Sequence, residues 1–148
     1  MKHNGARWLE KCYVRESADK AIADAVESLK DVDFDTIAFR GASGALFAPI
    51  VAHLLKKEIF YVRKLDGSHS YADYEGFIES EKYIILDDFI GSGDTLRAIH
   101  KVMQKENPKA SLVGFYFYHA SSDRQGYLGP GNLEYEVITR QILHTVPQ

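Results

Sequence analysis

The sequence is poor in the features that mark secreted, membrane-spanning and nucleic-acid-binding proteins. Its 148 residues include one cysteine, Cys12, so no internal disulfide can form, and a reducing compartment is indicated. No apolar run approaches membrane-spanning length, and residues 1–5 lack the apolar segment of a signal peptide. The net charge of −3 disfavours nucleic-acid binding driven by global electrostatics. We therefore expect a cytoplasmic protein that contacts neither membrane nor nucleic acid.

The chain has the length of one domain, and its apolar segments alternate between two periods. Short apolar runs predict strands at 36–39, 59–62, 83–86 and 111–118. Helical spacing predicts helices over 18–29, with Ser17 as N-cap, and over 45–55 and 96–105. Residues 8–15 are interpreted as an edge strand or an arm, and residues 133–143 as a closing strand. This order predicts an α/β fold, a central mostly parallel sheet flanked by helices.

Three polar segments, 40–44, 63–81 and 87–95, each follow a predicted strand. In open parallel sheets, ligands bind beyond the carboxyl ends of the strands. The stretch 63–81 is also long for a connection in a compact domain, which is typical of a lid or binding loop. The sequence therefore predicts one site built from these three segments.

The most informative segment is 83–95, in which a buried strand is followed by two carboxylates, a small-residue turn and a helix. Glycines and a helix N-terminus allow backbone N–H groups to contact an anion, and two hydroxyls add donors. These residues are Gly91, Ser92, Gly93, Asp94 and Thr95. One alternative remains, in which Ser92 or Asp94 simply caps the helix. The Asp94 carboxylate also counts against phosphate binding, because it would repel a phosphate unless it points away or meets a metal.

The two carboxylates, Asp87 and Asp88, admit several chemistries. They could bind magnesium, accept hydrogen bonds from sugar hydroxyls, act in phosphoryl chemistry, or form a solvated acidic strand end. A Walker site and a Rossmann fingerprint are excluded because G-x-x-x-x-G-K-S/T and G-x-G-x-x-G runs are absent. A phosphatase or response-regulator-like protein is disfavoured because the D-x-D-x-T order is missing.

Residues 83–95 resemble the phosphoribosyl-pyrophosphate (PRPP) motif of type I phosphoribosyltransferases, with a bulkier Phe89 and an unusual Gly91. Three more segments are similar to family segments in the same order. Residues 40–44 resemble the pyrophosphate loop, 62–64 the basic strand end, and 65–81 the flexible loop with its Ser70-Tyr71 pair. The resemblance covers about residues 18–119, which would form the core of a single domain spanning 1–148.

The resemblance implies a role for each segment. Asp87 and Asp88 would hold the ribose hydroxyls of PRPP, directly or through water on Mg²⁺, and residues 91–95 would bind the 5′-phosphate. Pyrophosphate would contact a larger set, including a strained or cis peptide in the first loop. That set is Arg40, Gly41, Ala42, Ser43, Gly44, Arg63, Lys64, Ser70 and Tyr71.

The resemblance also implies a nucleobase as the second substrate and a homodimer. Gly91 replaces an aspartate of hypoxanthine and guanine enzymes, and the 70–76 segment is similar to the adenine loop, with Asp73 or Glu75 as general acid. A purine is therefore favoured. The base-covering hood would be small or reduced and built from 1–16 and 120–143. The alternative is a non-catalytic PRPP- or nucleotide-binding regulator on the same fold.

Overall fold

A computed structural model describes residues 9–64, 73–119 and 124–144 of the protein. The described residues form one six-stranded sheet with helices on both faces. The strands are β1 (Thr36–Arg40), β2 (Glu58–Val62), β3 (Tyr74–Gly76), β4 (Lys82–Asp87), β5 (Ser111–Phe117) and β6 (Gly126–Leu128). The helices are α1 (Glu10–Tyr13), α2 (Arg15–Leu29), α3 (Gly41–Ala45), α4 (Ala48–Leu55), α5 (Asp94–Glu106) and α6 (Leu133–Ile138). A π-helix, Thr139–Leu143, continues α6.

The strand order is β3-β2-β1-β4-β5-β6. The four inner strands are parallel, and the edge strands β3 and β6 are antiparallel to their neighbours. The boundary between β1 and β4 therefore divides the sheet into β1 to β3, from residues 36–76, and β4 to β6, from residues 82–128. The predicted α/β class with a mostly parallel sheet is confirmed.

The core lies in two layers, one on each face of the sheet, because successive strand side chains point to opposite faces. From β4, Ile84 and Leu86 pack in the layer under α2 and α4. Tyr83 and Ile85 pack in the layer under α5 and α6. All four side chains are fully buried, which explains why the strand has no polar face in the sequence.

Two helix predictions need correction at their ends. Helix α2 begins at Arg15 with Val14 as its N-cap, so the predicted cap Ser17 lies inside the first turn. The single helix predicted over 45–55 is two helices, α3 and α4, separated at Phe47, whose φ of −125° and ψ of −50° are not helical. Pro49 lies in the first turn of α4, where its missing N–H is tolerated.

Two predicted strands are wrong. Within 8–15, residues 10–13 form helix α1, and residues 133–143 form α6 and the π-helix. The Asn132 side chain accepts hydrogen bonds from the backbone N–H groups of Glu134 and Tyr135, which starts α6. A signal for this helix was present in the sequence, because Tyr135, Ile138 and Ile142 recur at three- and four-residue spacing.

The predicted site residues Ser70 and Tyr71 lie outside the described residues, as do 1–8, 120–123 and 145–148. The division into a core and hood elements within a single domain stays a prediction. Across the described ranges, every helix is too short or too polar to cross a membrane.

Candidate active site

The candidate site lies at the carboxyl ends of β1 and β4, where the strand order reverses direction along the chain. Such a switch point opens a crevice because the connections leave the two strands on opposite sides. A pocket of about 280 Å³ occupies this place and is lined by Ser43 and by residues 87–96. The geometry thus joins the predicted segments 40–44 and 87–95 in one concave surface.

The carboxylate of Asp87 forms the floor of the site. It is 6% exposed, and its Oδ1 accepts hydrogen bonds from Ser43 Oγ at 2.7 Å and from the Asp88 backbone N–H at 2.9 Å. Burial raises the pKa of Asp87 to about 7; the hydrogen bond from Ser43 opposes this rise, and the Asp88 charge adds to it. The Asp88 side chain accepts a hydrogen bond from the backbone N–H of Phe89 at 2.8 Å.

The small-residue turn ends at Gly93, which has φ of 86° and is the N-cap of α5. Gly93 has no side chain that could cap this helix, so first-turn N–H groups other than that of Asp94 remain available to an anion. The Ser92 hydroxyl accepts a longer bond, 3.3 Å, from the Asp94 N–H. The Asp94 carboxylate forms an ion pair with Arg97 at 2.8 Å, which offsets the charge that counted against phosphate binding.

The same turn rests on the C-terminal π-helix. A Cβ atom at Gly93 would lie 2.7 Å from Cδ1 of Ile142, so glycine is needed here both for its backbone angle and for space. Residues 139–143 therefore pack under the turn. From the sequence this segment is predicted to belong to a hood, and the contact of Ile142 with Gly93 was not predicted.

The segment after β1 forms the short helix α3, and its peptide bonds are all trans, whereas the alternative of a strained peptide stays a prediction. Gly41 has φ of 74°, and a Cβ there would lie 3.3 Å from the Lys64 Nζ. The structure thus brings Lys64 to the Gly41 backbone. Arg40 Nε is buried and has no hydrogen-bond partner among the described residues, although Arg40 is not one of the residues that line the pocket.

Three predicted site residues lie elsewhere. Arg63 forms an ion pair with Glu75 at 2.8 Å, and Asp73 lies 3.5 Å from Lys105. Strand β3, which contains Glu75 and follows Asp73, is three strands from β4, roughly 14 Å at normal sheet spacing. The described conformation does not bring Asp73, Glu75 or the Arg63 side chain to the Asp87 pocket.

The residues that follow β5 were missed as part of the site. The Tyr118 hydroxyl donates to the Ser43 backbone oxygen at 2.7 Å, and the His119 backbone N–H donates to the Asp88 backbone oxygen at 2.8 Å. The Phe89 ring, which lines the pocket, lies 6.0 Å from the His119 ring. The available signal was topological: strand β5 pairs with β4, so its carboxyl end must lie beside Asp87.

The pair of carboxylates fits a metal that arrives with its substrate better than a protein-held metal. Across the described ranges, no three histidine, cysteine or acidic side chains are grouped to hold a metal ion. Mg²⁺ often binds through one or two carboxylates together with water and substrate phosphate. Asp87 and Asp88 can supply that number.

A sequence model of the family described as PRTase-CE matches residues 7–139. The chain belongs to this phosphoribosyltransferase family. Adenine phosphoribosyltransferase of Thermosipho melanesiensis is 28% identical over 116 residues, which are 68% of this chain and 66% of the relative. The present chain thus spans about two thirds of this relative's length.

Solved structures of type I phosphoribosyltransferases share the fold. Adenine phosphoribosyltransferase of Thermoanaerobacter pseudethanolicus superposes with a TM-score of 0.56 at 19% identity, covering 70% of this chain and 68% of its own. Orotate phosphoribosyltransferase of Francisella tularensis gives 0.58 at 12% identity, covering 86% and 63%. Together with the family match, the type I identification predicted from residues 83–95 is confirmed.

Proposed function

We propose that this phosphoribosyltransferase transfers the 5-phosphoribosyl group of PRPP to a nucleobase and releases pyrophosphate. One observation carries the proposal: the Asp87-Asp88 pair and the uncapped N-terminus of α5 line one pocket at the β1–β4 switch point. A sugar that carries both a diol and a phosphate is matched by this combination of paired acceptors and backbone donors.

The proposed binding mode assigns each end of PRPP to a described segment. The 5′-phosphate binds the first N–H groups of α5 and the hydroxyls of Ser92 and Thr95. The ribose hydroxyls donate to Asp87 and Asp88. The pyrophosphate lies against residues 40–44 and Lys64, where the unsatisfied Arg40 Nε supports an anion. Arg63 would join them only after leaving Glu75.

In the proposed reaction the anomeric C–O bond breaks, and its electron pair leaves on the pyrophosphate. A ring nitrogen of the base forms the new C–N bond and loses its proton to solvent water. Positive charge develops on the ribose while negative charge grows on the leaving group, so the cationic groups near residues 40–44 stabilise the transition state. A general-acid role for Asp73 or Glu75 stays a prediction and requires displacement of β3.

Mg²⁺ is the proposed cofactor, held by Asp87 and Asp88 directly or through water. When bound, it would neutralise charge on the pyrophosphate oxygens. The cytoplasmic location predicted from the single cysteine stays a prediction as well. A purine is the proposed base because the curated relatives that match are adenine phosphoribosyltransferases.

The test is an assay of PRPP and Mg²⁺ with adenine, guanine, hypoxanthine, xanthine, uracil and orotate, in which pyrophosphate release is measured. Release with a purine supports the proposal, and release only with a pyrimidine overturns the choice of base. Asp87→Asn combined with Asp88→Asn should abolish PRPP binding by calorimetry. Asp33→Asn, at an exposed acid paired with Lys82, is the matched control and should bind PRPP normally.

A PRPP-binding regulator is the second candidate. One observation favours it: the predicted hood residues 133–143 pack against α5 and the turn, so they do not cover the base side of the pocket. PRPP binding without turnover on any base would support this candidate. Absence of PRPP binding by the folded protein would overturn both.

A second copy of the chain is the proposed partner. Leu46, Ile50 and Leu54 are 47%, 45% and 55% exposed and recur at four-residue spacing along α3 and α4. Beside this apolar ridge lies an apolar hollow of about 370 Å³, lined by Phe39, Ala45, Ile59, Tyr61, Glu75 and Gly76. A two-fold axis would seat each ridge in the hollow of the other copy, as an isologous interface requires.

Light scattering during size exclusion tests this homodimer. Ile50→Glu should convert it to a monomer because a charge would be buried in the interface. Leu133→Glu places the same charge on another exposed apolar residue, 72% exposed, and should leave the dimer intact. A wild-type monomer at high micromolar concentration contradicts the proposal.

A further inference from the structure

Tyr118 is the first residue after β5, and its ring is buried. The side chain is 2% exposed, and its ring stacks on Phe47 with centroids 4.2 Å apart. Its hydroxyl donates to the Ser43 backbone oxygen at 2.7 Å. Burial raises the pKa of Tyr118 well above its ordinary value of 10.0, so the hydroxyl stays protonated and remains a donor.

Ser43 connects this hydroxyl to the acidic floor of the pocket. The Ser43 carbonyl accepts from Tyr118, and the Ser43 Oγ donates to Asp87 Oδ1 at 2.7 Å. The three residues come from three separate segments, those that follow β1 and β5 and the end of β4. Tyr118 therefore fixes the backbone of the one α3 residue whose side chain contacts Asp87.

Helix α1 holds Tyr118 from the opposite side. The Cys12 thiol donates to the Tyr118 hydroxyl at 3.4 Å, and the Lys11 ammonium donates to the Tyr118 backbone oxygen at 2.9 Å. Burial raises the pKa of Cys12, which keeps the thiol in its donor form. A chain of contacts thus runs from α1 through Tyr118 and Ser43 to Asp87.

We propose that Tyr118 is a positioning residue for PRPP: its bond to Ser43 holds α3 at a fixed distance from Asp87. This inference rests on the proposed function, because α3 and Asp87 are there assigned to the pyrophosphate and ribose of one ligand. A ligand that bridges two segments loses affinity when their spacing is free to vary, since binding must then restore the order. Tyr118 itself is not among the residues that line the pocket.

The test compares two tyrosines that make the same bond. Tyr127 is partly buried, and its hydroxyl donates to the Val113 backbone oxygen at 2.7 Å. Val113 lies four residues before the end of β5, roughly 13 Å from it along the strand. Tyr127→Phe removes an equivalent hydrogen bond from the fold, far from Asp87, and is the matched control.

Calorimetry with PRPP and Mg²⁺ should show a Kd for Tyr118→Phe about five- to tenfold above wild type, the worth of one buried hydrogen bond. Tyr127→Phe should bind within twofold of wild type, although both variants lose a similar amount of stability in urea. If wild type binds PRPP and the two variants have the same Kd, this inference is overturned. If wild type does not bind PRPP, the proposed function itself fails.

A double-mutant cycle with Ser43→Ala tests whether Tyr118 acts through the Ser43 side chain. This substitution removes the hydroxyl that donates to Asp87 and keeps the backbone oxygen that accepts from Tyr118. Because both residues order one segment, the double variant should lose clearly less affinity than the product of the single losses. Losses that multiply would show that Tyr118 acts independently of Ser43 and would overturn the proposed route. If the protein is an enzyme, Tyr118→Phe should raise KM for PRPP and leave kcat within twofold.

Discussion

Asp87 must be ionised to bind a metal ion or two sugar hydroxyls, yet burial favours its neutral form. Its pKa in the folded protein is about 7, against 3.8 ordinarily. The folded state therefore holds a proton more tightly than the unfolded state, and stability falls as pH rises from about 4 to about 7. The site is held in place at a cost to the fold.

Replacement of this carboxylate should therefore stabilise the protein without ligand. We expect Asp87→Asn to raise the free energy of unfolding by about 1–3 kcal/mol at pH 8, because a buried charge is removed while Ser43 keeps an acceptor. The gain should shrink towards pH 5, where the wild-type carboxyl is protonated. Urea unfolding at the two pH values measures it, and a gain that grows towards pH 5 would contradict the assigned cause.

At the scale of elements, the junction between the small-residue turn and α5 depends on Gly93. Its φ of 86° strains any other residue, and Ile142 fills the space where a Cβ would lie. The π-helix thus limits how far the turn can move. Because the turn supplies the proposed phosphate donors, its position is set by a segment about fifty residues later in the chain.

Gly93→Ala should destabilise the protein more than Gly126→Ala. Gly126 has a similar φ of 85°, but no atom of the described residues lies within 4 Å of an added Cβ, so we expect only backbone strain of about 1–2 kcal/mol. Gly93→Ala adds a steric clash and should cost at least about 1 kcal/mol more. Thermal unfolding of both variants measures the difference; equal losses would show that Ile142 yields freely.

Elements with a clear hydrophobic period could be predicted from the sequence, whereas elements marked only by a local cap were assigned wrongly. The strand at 83–86 and its acids could be read because four buried residues in a row admit few alternatives. Residues 133–143 were misread because Tyr135 and Ile138 resemble strand residues unless the Asn132 cap is weighed. The contact of Tyr118 with Ser43 could not be predicted, since it joins residues 75 positions apart.

At the scale of the whole molecule, the C-terminal helix is part of the core. Ile138 is 1% exposed and Tyr135 9% exposed, and both pack in the layer that also buries Leu96 and Ile99 of α5. A hood that only covers a base can be lost without loss of the fold, whereas this segment cannot. The difference separates the two readings of residues 133–143.

Deletion of residues 132–148 should abolish cooperative thermal unfolding, because one side of a core layer becomes exposed. Ile138→Ala, which leaves the chain complete, should cost about 2–4 kcal/mol. Leu133→Ala, at a residue 72% exposed, should cost less than about 0.5 kcal/mol. Circular dichroism on heating measures all three, and a deletion variant that melts like the full chain would contradict a core role for this segment.

The strand order has one more consequence. Strands β1 to β3 form one half of the sheet and β4 to β6 the other, and the two halves pair along β1 and β4. The pocket takes Ser43 from the segment after β1 and Asp87 from the end of β4. A ligand in this pocket acts as a clamp across the seam. Amide hydrogen exchange should therefore slow most at β1 and β4 when PRPP binds, and least at the outer strands β3 and β6.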